Sequence, residues 1–255
     1  MSKVLEQSIV RLHHSLGPQT YLLRLEAPQI AKEAQSGQFV NIKFLAPTQH
    51  LLRHPFGVAG VDTKEGTIDI IYRTVGEFTC HLTVLQPGDK VDVLGPLGHG
   101  FDVFAHNALL VGGGTGLAPL LFLAAELGAQ KTDVLMGGRT QGDLFWQNTY
   151  APLAHQIFVT TDDGSVGTHG TVMAKLPALL QENKYDCVYT CGPSPMMKAV
   201  AACCEEHNVP CQVSLERYMA CGLGACLSCT CQGREKRLKV CTDGPVFWAQ
   251  EVSEW

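Results

Sequence analysis

Two hydrophobic rhythms run along this chain, and they change over near residue 107. Up to about residue 103 the dominant period is two. Tyr21-Leu-Leu-Arg-Leu-Glu26 and Gln38-Phe-Val-Asn-Ile-Lys-Phe-Leu45 alternate between apolar and polar positions, and Thr67-Ile-Asp-Ile-Ile-Tyr-Arg73 is rich in β-branched residues. Successive side chains of a strand leave opposite faces, so this pattern predicts short, half-buried strands. Gly37, Gly66 and Gln86-Pro-Gly-Asp89 fall where turns are needed. Several strands at this spacing, with no helical stretch between them, predict a small antiparallel β-barrel; a two-sheet sandwich fits the same spacing.

From residue 107 strand-like and helical stretches alternate. Asn107-Ala-Leu-Leu-Val111 is a short apolar strand that runs into Gly112-Gly-Gly-Thr-Gly-Leu-Ala-Pro119 and then a helical run to about Gly128. Further strand-like stretches at 132–136, 156–160, 186–190 and 211–215 are separated by helical ones. That βαβ order predicts a doubly wound parallel sheet. After residue 215 the chain becomes loop-rich and closes on Pro245-Val-Phe-Trp248, with no internal repeat or low-complexity tract. The expected organisation is a barrel over 1–103, an α/β domain over 104–214 and a small appendage over 215–255.

Composition narrows the function classes. A chain of 255 residues, 45% hydrophobic and 17% charged, is long enough for two domains with real cores. Its net charge of −5 and lack of a basic run speak against nucleic acid as a partner. No apolar run reaches the roughly 18 residues of a membrane span, and Met1–Gln7 has no apolar leader. Eleven cysteines without a secretory leader point to a reducing cytoplasm, where metal ligation outranks disulfides.

The cysteines carry the sharpest chemistry. Cys221-Gly-Leu-Gly-Ala-Cys226-Leu-Ser-Cys229 is closed by Cys241, giving the spacing C-x4-C-x2-C-x11-C. Its opening matches the plant-type pattern for a [2Fe–2S] cluster. Four thiolates must converge on a small two-iron core, so the backbone has to wrap tightly. Gly222 and Gly224 supply that freedom, while Ala225 and Ser228 leave room for backbone amides to face the sulfurs. Three competing readings are buried structural cysteines, a zinc site and disulfides. Zinc usually shows two C-x2-C knuckles, and only one is present here. Cys231 sits two residues past Cys229 and falls outside the ligand spacing.

A second signal is the loop Gly112, Gly113, Gly114, Thr115, Gly116. A strand that ends in glycines and feeds a helix offers free backbone N–H groups to a pyrophosphate. Leu117 stands where the third glycine of G-x-G-x-x-G would fall, so a ligand-free strand-to-helix turn also fits. Cys191, Gly192 and Pro193 end a later strand, at the edge where ligands gather in such sheets. In the barrel half, Arg53-His-Pro-Phe-Gly57, Ile71-Tyr-Arg73 and Gly76-Glu-Phe-Thr79 gather cations, an aromatic and small residues. A flavin needs such a set, although exposed charges at strand ends explain it equally well.

In the order barrel, glycine-loop α/β domain and cysteine cluster, the chain resembles the ferredoxin–NADP reductase superfamily. Within it the resemblance is to the electron transfer subunits of NAD-dependent bacterial dihydroorotate dehydrogenases. It rests on Leu51-Leu-Arg-x-Pro55, Ile70–Arg73, Val91–Gly100, Leu110–Gly114, Cys191–Met196, the cysteine loop and Asp243–Phe247. The resemblance implies FAD on the barrel, touching residues 54–57 (His54, Pro55, Phe56, Gly57), Ile71, Tyr72, Arg73, Phe78 and Thr79. The family usually has Arg-Pro-x-Ser where this chain has His54-Pro55-Phe56-Gly57, and Arg53 is the candidate substitute for the missing cation.

The same resemblance implies an FMN-containing catalytic partner that oxidises dihydroorotate in pyrimidine (UMP) biosynthesis, in a heterotetramer of two of each chain. Electrons would pass through the [2Fe–2S] cluster and FAD to NAD⁺ near the glycine loop and Cys191–Pro193, with no side chain acting as acid or base. Leu223 and Leu227 are either a docking patch or packing under the loop, and Arg139 is a candidate for discriminating NAD from NADP. Rival readings are the flavin and iron–sulfur subunit of a hydrogenase, sulfite reductase or ferredoxin–NADP transhydrogenase, and a zinc-stabilised, non-catalytic docking module.

Overall fold

A computed structural model describes residues 3–45 and 51–255. The first rhythm closes into a six-stranded antiparallel barrel: β1 (Val4–Gly17), β2 (Thr20–Glu26), β3 (Phe39–Phe44), β4 (His54–Asp62), β5 (Thr67–Arg73) and β6 (Lys90–Leu97), in the order β1-β2-β5-β4-β3-β6. Closure on itself distinguishes it from a sandwich. Alternation decides which face is core: Leu23 and Leu25 of β2, Ile68 and Ile70 of β5, and Val91 and Val93 of β6 have no exposed surface. Two six-residue helices that the pattern did not signal interrupt the strands, α1 (Pro28–Glu33) and α2 (Glu77–Leu82). Both are too short to show a helical period.

The second rhythm builds a seven-stranded sheet. Its strands are β7 (Ala108–Gly113), β8 (Thr132–Gly138), β9 (Gln156–Thr161), β10 (Thr168–His169), β11 (Cys187–Cys191), β12 (Cys211–Ser214) and, beyond a hairpin of β13 (Thr230–Gln232) and β14 (Arg237–Lys239), β15 (Val246–Trp248). The order is β10-β9-β8-β7-β11-β12-β15, parallel except where β15 runs antiparallel on β12. The helices are α3 (Leu117–Leu127), α4 (Trp146–Tyr150), α5 (Leu176–Glu182) and α6 (Ser194–Glu206). Alternate residues of β7 enter different cores: Leu109 and Val111 pack with residues of α5 and α6, Leu110 with residues of α3 and α4. The sheet is therefore wound on both faces. Gly128, with φ of 86°, stops α3 where the sequence places its end.

Two features reach across the expected divisions. The C-terminal segment is not only an appendage, because β15 completes the main sheet. The barrel and the α/β half also share core: Phe122 of α3 packs into the barrel cluster, and Ala59 and Ile71 of the barrel pack into the α/β cluster. This shared packing fixes the cleft described next.

Candidate cofactor cleft and cysteine cluster

A cleft of about 390 Å³ opens between the barrel and the sheet. From the barrel side it is lined by Phe39, His54, Pro55, Phe56, Gly57, Ile71, Tyr72, Arg73 and Thr79. Thr115, Ala118 and Pro119 of the glycine-loop turn and α3, together with Cys191, contribute from the other side. Its volume and its few polar groups in an apolar wall suit a planar cofactor.

Three of these barrel residues, His54, Tyr72 and Thr79, are held by specific contacts. His54 lies flat on Phe78, with ring centroids 3.7 Å apart and planes 14° from parallel. Phe78 is buried behind His54 and supports the wall without lining it. The Tyr72 hydroxyl hydrogen-bonds His13 at 2.9 Å, so the polar end of Tyr72 is already engaged; burial raises its pKa. Thr79 accepts the backbone N–H of Val75 and Gly76 at 2.9 and 3.1 Å and so fixes the start of α2.

The two arginines differ. Arg53 donates to the Asp92 carboxylate at 2.7 Å and to its carbonyl at 3.2 Å, and does not line the cleft. Its cation is thus paired with Asp92 within the barrel. Arg73 is exposed and lines both the cleft and a small neighbouring groove with Gly114 and Thr115.

The glycine loop has the backbone that the sequence suggested. Gly114 takes φ of 58° with open space beside it, while a Cβ on Gly116 would run into the Cys191 carbonyl and come within 2.6 Å of the Gly192 Cα. That close approach joins the loop to the end of β11, bringing Gly112–Gly116 beside Cys191 and Gly192. Of these residues only Thr115 and Cys191 line the main cleft. Cys191 is fully buried, and desolvation raises its thiol pKa. Arg139 lies outside the cleft, paired to Asp143 at 3.3 Å.

Sequence reasoning missed one wall. Ser214, Leu215, Glu216, Arg217, Met219 and Pro245 line the cleft from the end of β12 and the turn before β15. No motif marks them; only their place just before Cys221 and within Asp243-Gly-Pro245 was a signal. Glu216 opens onto the cleft, yet the protein around it desolvates its carboxyl and raises the pKa.

The cysteine loop follows directly. Gly222 and Gly224 have φ of 69° and 81°, and Leu227 takes 62° despite its Cβ. The loop turns N–H groups onto sulfur: Leu223 and Cys226 donate their backbone N–H to Cys221 Sγ at 3.3 and 3.5 Å. The Ser228 hydroxyl lies 3.1 Å from Cys226 Sγ. Chiefly through Ser228, the Cys226 thiol pKa is drawn down to about 6. Cys241 is pushed up to about 12 by burial and by the neighbouring Cys229 sulfur. The four sulfurs thus fall into two pairs, 221 with 226 and 229 with 241, and Cys241 also feels Cys221. Among the described residues no three metal-binding side chains converge as one ion requires. Backbone amides directed at sulfur fit the environment of an iron–sulfur cluster. Cys231 is buried on β13, outside both pairs. Around the loop Tyr218 is 95% exposed, Leu227 60% and Leu223 44%, so the two leucines are not packed beneath it.

Three sequence-family profiles match in the same order as the folded parts. They are an oxidoreductase FAD-binding domain over residues 8–101, an oxidoreductase NAD-binding domain over 110–202, and the iron–sulfur cluster binding domain of dihydroorotate dehydrogenase B over 216–253. The chain is 42% identical to the dihydroorotate dehydrogenase B (NAD(+)) electron transfer subunit of Bacillus caldolyticus, covering 97% of this chain and 98% of that protein. It is 36% identical to the Fusobacterium nucleatum protein of the same name, with the same coverage. Among solved structures, the NADH-dependent reduced ferredoxin-NADP oxidoreductase superposes with a TM-score of 0.84 at 30% identity, over 97% of this chain and 90% of that one. The ferredoxin reductase of carbazole 1,9a-dioxygenase, at 0.67 and 21% over 82% and 68%, shares the fold.

Proposed function

The chain belongs to the family of dihydroorotate dehydrogenase B electron transfer subunits, and on that premise we propose which of its residues carry each part of the work. It is an oxidoreductase subunit with FAD-, NAD- and iron–sulfur-binding domains. Its function is to pass electrons from dihydroorotate, oxidised on a catalytic partner, to NAD⁺. One observation carries the residue-level reading: the segment Ser214–Met219 walls the cleft, and the first cluster cysteine follows two residues later. A single stretch of backbone therefore links the two sites.

When bound, the cluster exchanges single electrons, the flavin pairs them, and the nicotinamide takes the pair as hydride. The chain's own residues bind, orient and shield. His54, Pro55, Phe56, Gly57, Ile71 and Tyr72 form the apolar bed for FAD, with Phe78 and Thr79 behind and beside it. Arg73, shared between cleft and glycine groove, supplies the cation for the pyrophosphate in place of the arginine absent at 54. NAD⁺ lies along Gly112–Gly116 and Cys191–Pro193, where open backbone N–H groups meet the start of α3. Cys221, Cys226, Cys229 and Cys241 would hold the iron as its thiolate ligands. No side chain is needed as a general acid or base.

The partner is an FMN-containing catalytic subunit, assembled as two of each chain in the cytoplasm, in the synthesis of UMP. It docks over Tyr218, Leu223 and Leu227, the exposed apolar side chains nearest the thiols. Functional boundaries fall at 103/104 and 214/215. The test is reconstitution of the two-subunit complex, with orotate and NADH measured together. A loaded complex that exchanges electrons between NADH and ferredoxin but leaves dihydroorotate untouched would favour the second reading, a ferredoxin-linked subunit, which the similarity to the NADH-dependent reduced ferredoxin-NADP oxidoreductase supports.

A further inference from the structure

Asn41 is out of place in the barrel. It sits in the middle of β3, only 1% exposed, and neither its amide nitrogen nor its amide oxygen has a hydrogen-bond partner. Among the described residues it is the one side chain in which both polar atoms are left so. Buried amides are hydrogen-bonded in folded proteins, so such a pair marks a group that meets something besides protein. What it faces is specific: a Cβ on Gly222 would overlap the Asn41 amide nitrogen. The barrel side chain therefore lies directly under the first turn of the cysteine loop, next to Cys221. Gly222 is buried there with φ of 69°, and only a residue without a side chain lets loop and amide approach this closely.

We propose that Asn41 is a positioning residue of the iron–sulfur site, whose side-chain N–H donates to a sulfur of the bound cluster. An N–H···S bond stabilises the extra negative charge of the reduced cluster and so raises its potential. It also fastens the loop to the strand that, through Phe39, lines the flavin cleft. No motif hints at this, since Asn41 stands 180 positions before Cys221 in an ordinary strand pattern.

The inference rests on the iron–sulfur reading, and the experiment separates the two. The full-length protein is prepared anaerobically with iron and FAD, and the cluster potential is measured by EPR-monitored titration for the unsubstituted protein, Asn41→Leu and Asn41→Asp. A protein that binds no iron ends the iron–sulfur reading itself. With iron bound, both variants should titrate at more negative potential, Asp lower than Leu because it adds a charge. Their cluster g-values should shift, while the flavin potential and FAD content stay the same. Loss of the cluster with FAD and melting temperature retained also places Asn41 at the iron site. An unchanged cluster potential, or a shift confined to the flavin, overturns the proposal. If neither variant folds, the unsubstituted protein decides: with ¹⁵N in the side chains of its five asparagines, pulsed EPR of the reduced cluster should show a nitrogen coupling. No such coupling removes Asn41 from the site.

Discussion

The parallel sheet and the C-terminal segment are both rich in cysteine, and Cys226 of the loop stands in the opposite environment to the thiols of the sheet. In the sheet and its helix Cys187, Cys191, Cys204 and Cys211 are buried among apolar neighbours, and desolvation pushes Cys187 up to about 12 and raises Cys191 further. Such thiols are inert, small and apolar. In the loop Cys226 is exposed, and Ser228 together with Cys221 brings it down to about 6. A thiolate is the form that binds metal. Cysteine count alone therefore says little, and so does burial, since the ligand candidate Cys241 is pushed up to about 12 like the sheet's Cys187; the C-x4-C-x2-C-x11-C spacing is what separates the ligands from core filling.

The most direct way to break this comparison is Cys226→Ser. The visible cluster absorption and the iron content, roughly two atoms per chain when loaded, should both vanish, whereas Cys231→Ser leaves them in place. Iron retained in the first variant and lost in the second would mean that the ligand set has been misassigned.

Glycines sharpen the contrast next. Gly116→Ala drives a methyl group into the Cys191–Gly192 backbone, so it should cost about 1–3 kcal/mol and weaken NAD⁺ binding. Thermal melting and nucleotide titration check both, and a variant that melts like the parent would show that the loop and β11 are not in contact. Gly57 behaves differently: a Cβ there lies 3.6 Å from Pro119, an ordinary contact. Gly57→Ser should therefore fold normally and restore the hydroxyl expected of the family. Flavin affinity should rise several-fold, from about 1 kcal/mol of hydrogen bonding; no gain in FAD retention argues against Gly57 meeting the flavin edge.

The smallest effect belongs to Glu216. Its carboxyl pKa is raised by desolvation, so the protonated form favours the fold, and ionising it as pH rises through and above the ordinary value of 4.5 costs stability. In cofactor-free protein, Glu216→Gln should match the parent near pH 4 and melt slightly higher at pH 8. Parallel melting curves across that range would show that Glu216 is not desolvated.

Much of the architecture was legible because it is local. Period-two alternation in Tyr21–Glu26 and β-branched residues in Thr67–Arg73 mark β2 and β5 within a residue at each end. The strand, glycine loop and helix ending at Gly128 were equally plain. So were the four cysteines, because a loop that wraps a small core must hold most of its ligands at close spacing. The strands β1, β4 and β6 went unassigned; in the first two, bulges at 10–12 and 58–60 shift the register and blur the alternation. The cleft was harder to see for a different reason. It is assembled from seven separate stretches of chain, and no single stretch shows the pattern.

The residues by themselves thus determined the two folding rhythms, the two glycine-rich turns and the ligand spacing, because each depends on neighbours within a turn or a strand. Only tertiary packing decided that Arg53 pairs with Asp92 and that Arg73, hydrogen-bonded to Gln19, lines the cleft. It also decided that Ser214–Met219 forms a wall, that β15 completes the sheet, and that Asn41 lies beneath Gly222. Those outcomes depend on which distant surfaces bury each other, and a hydrophobic pattern records only that a face is buried, not what covers it.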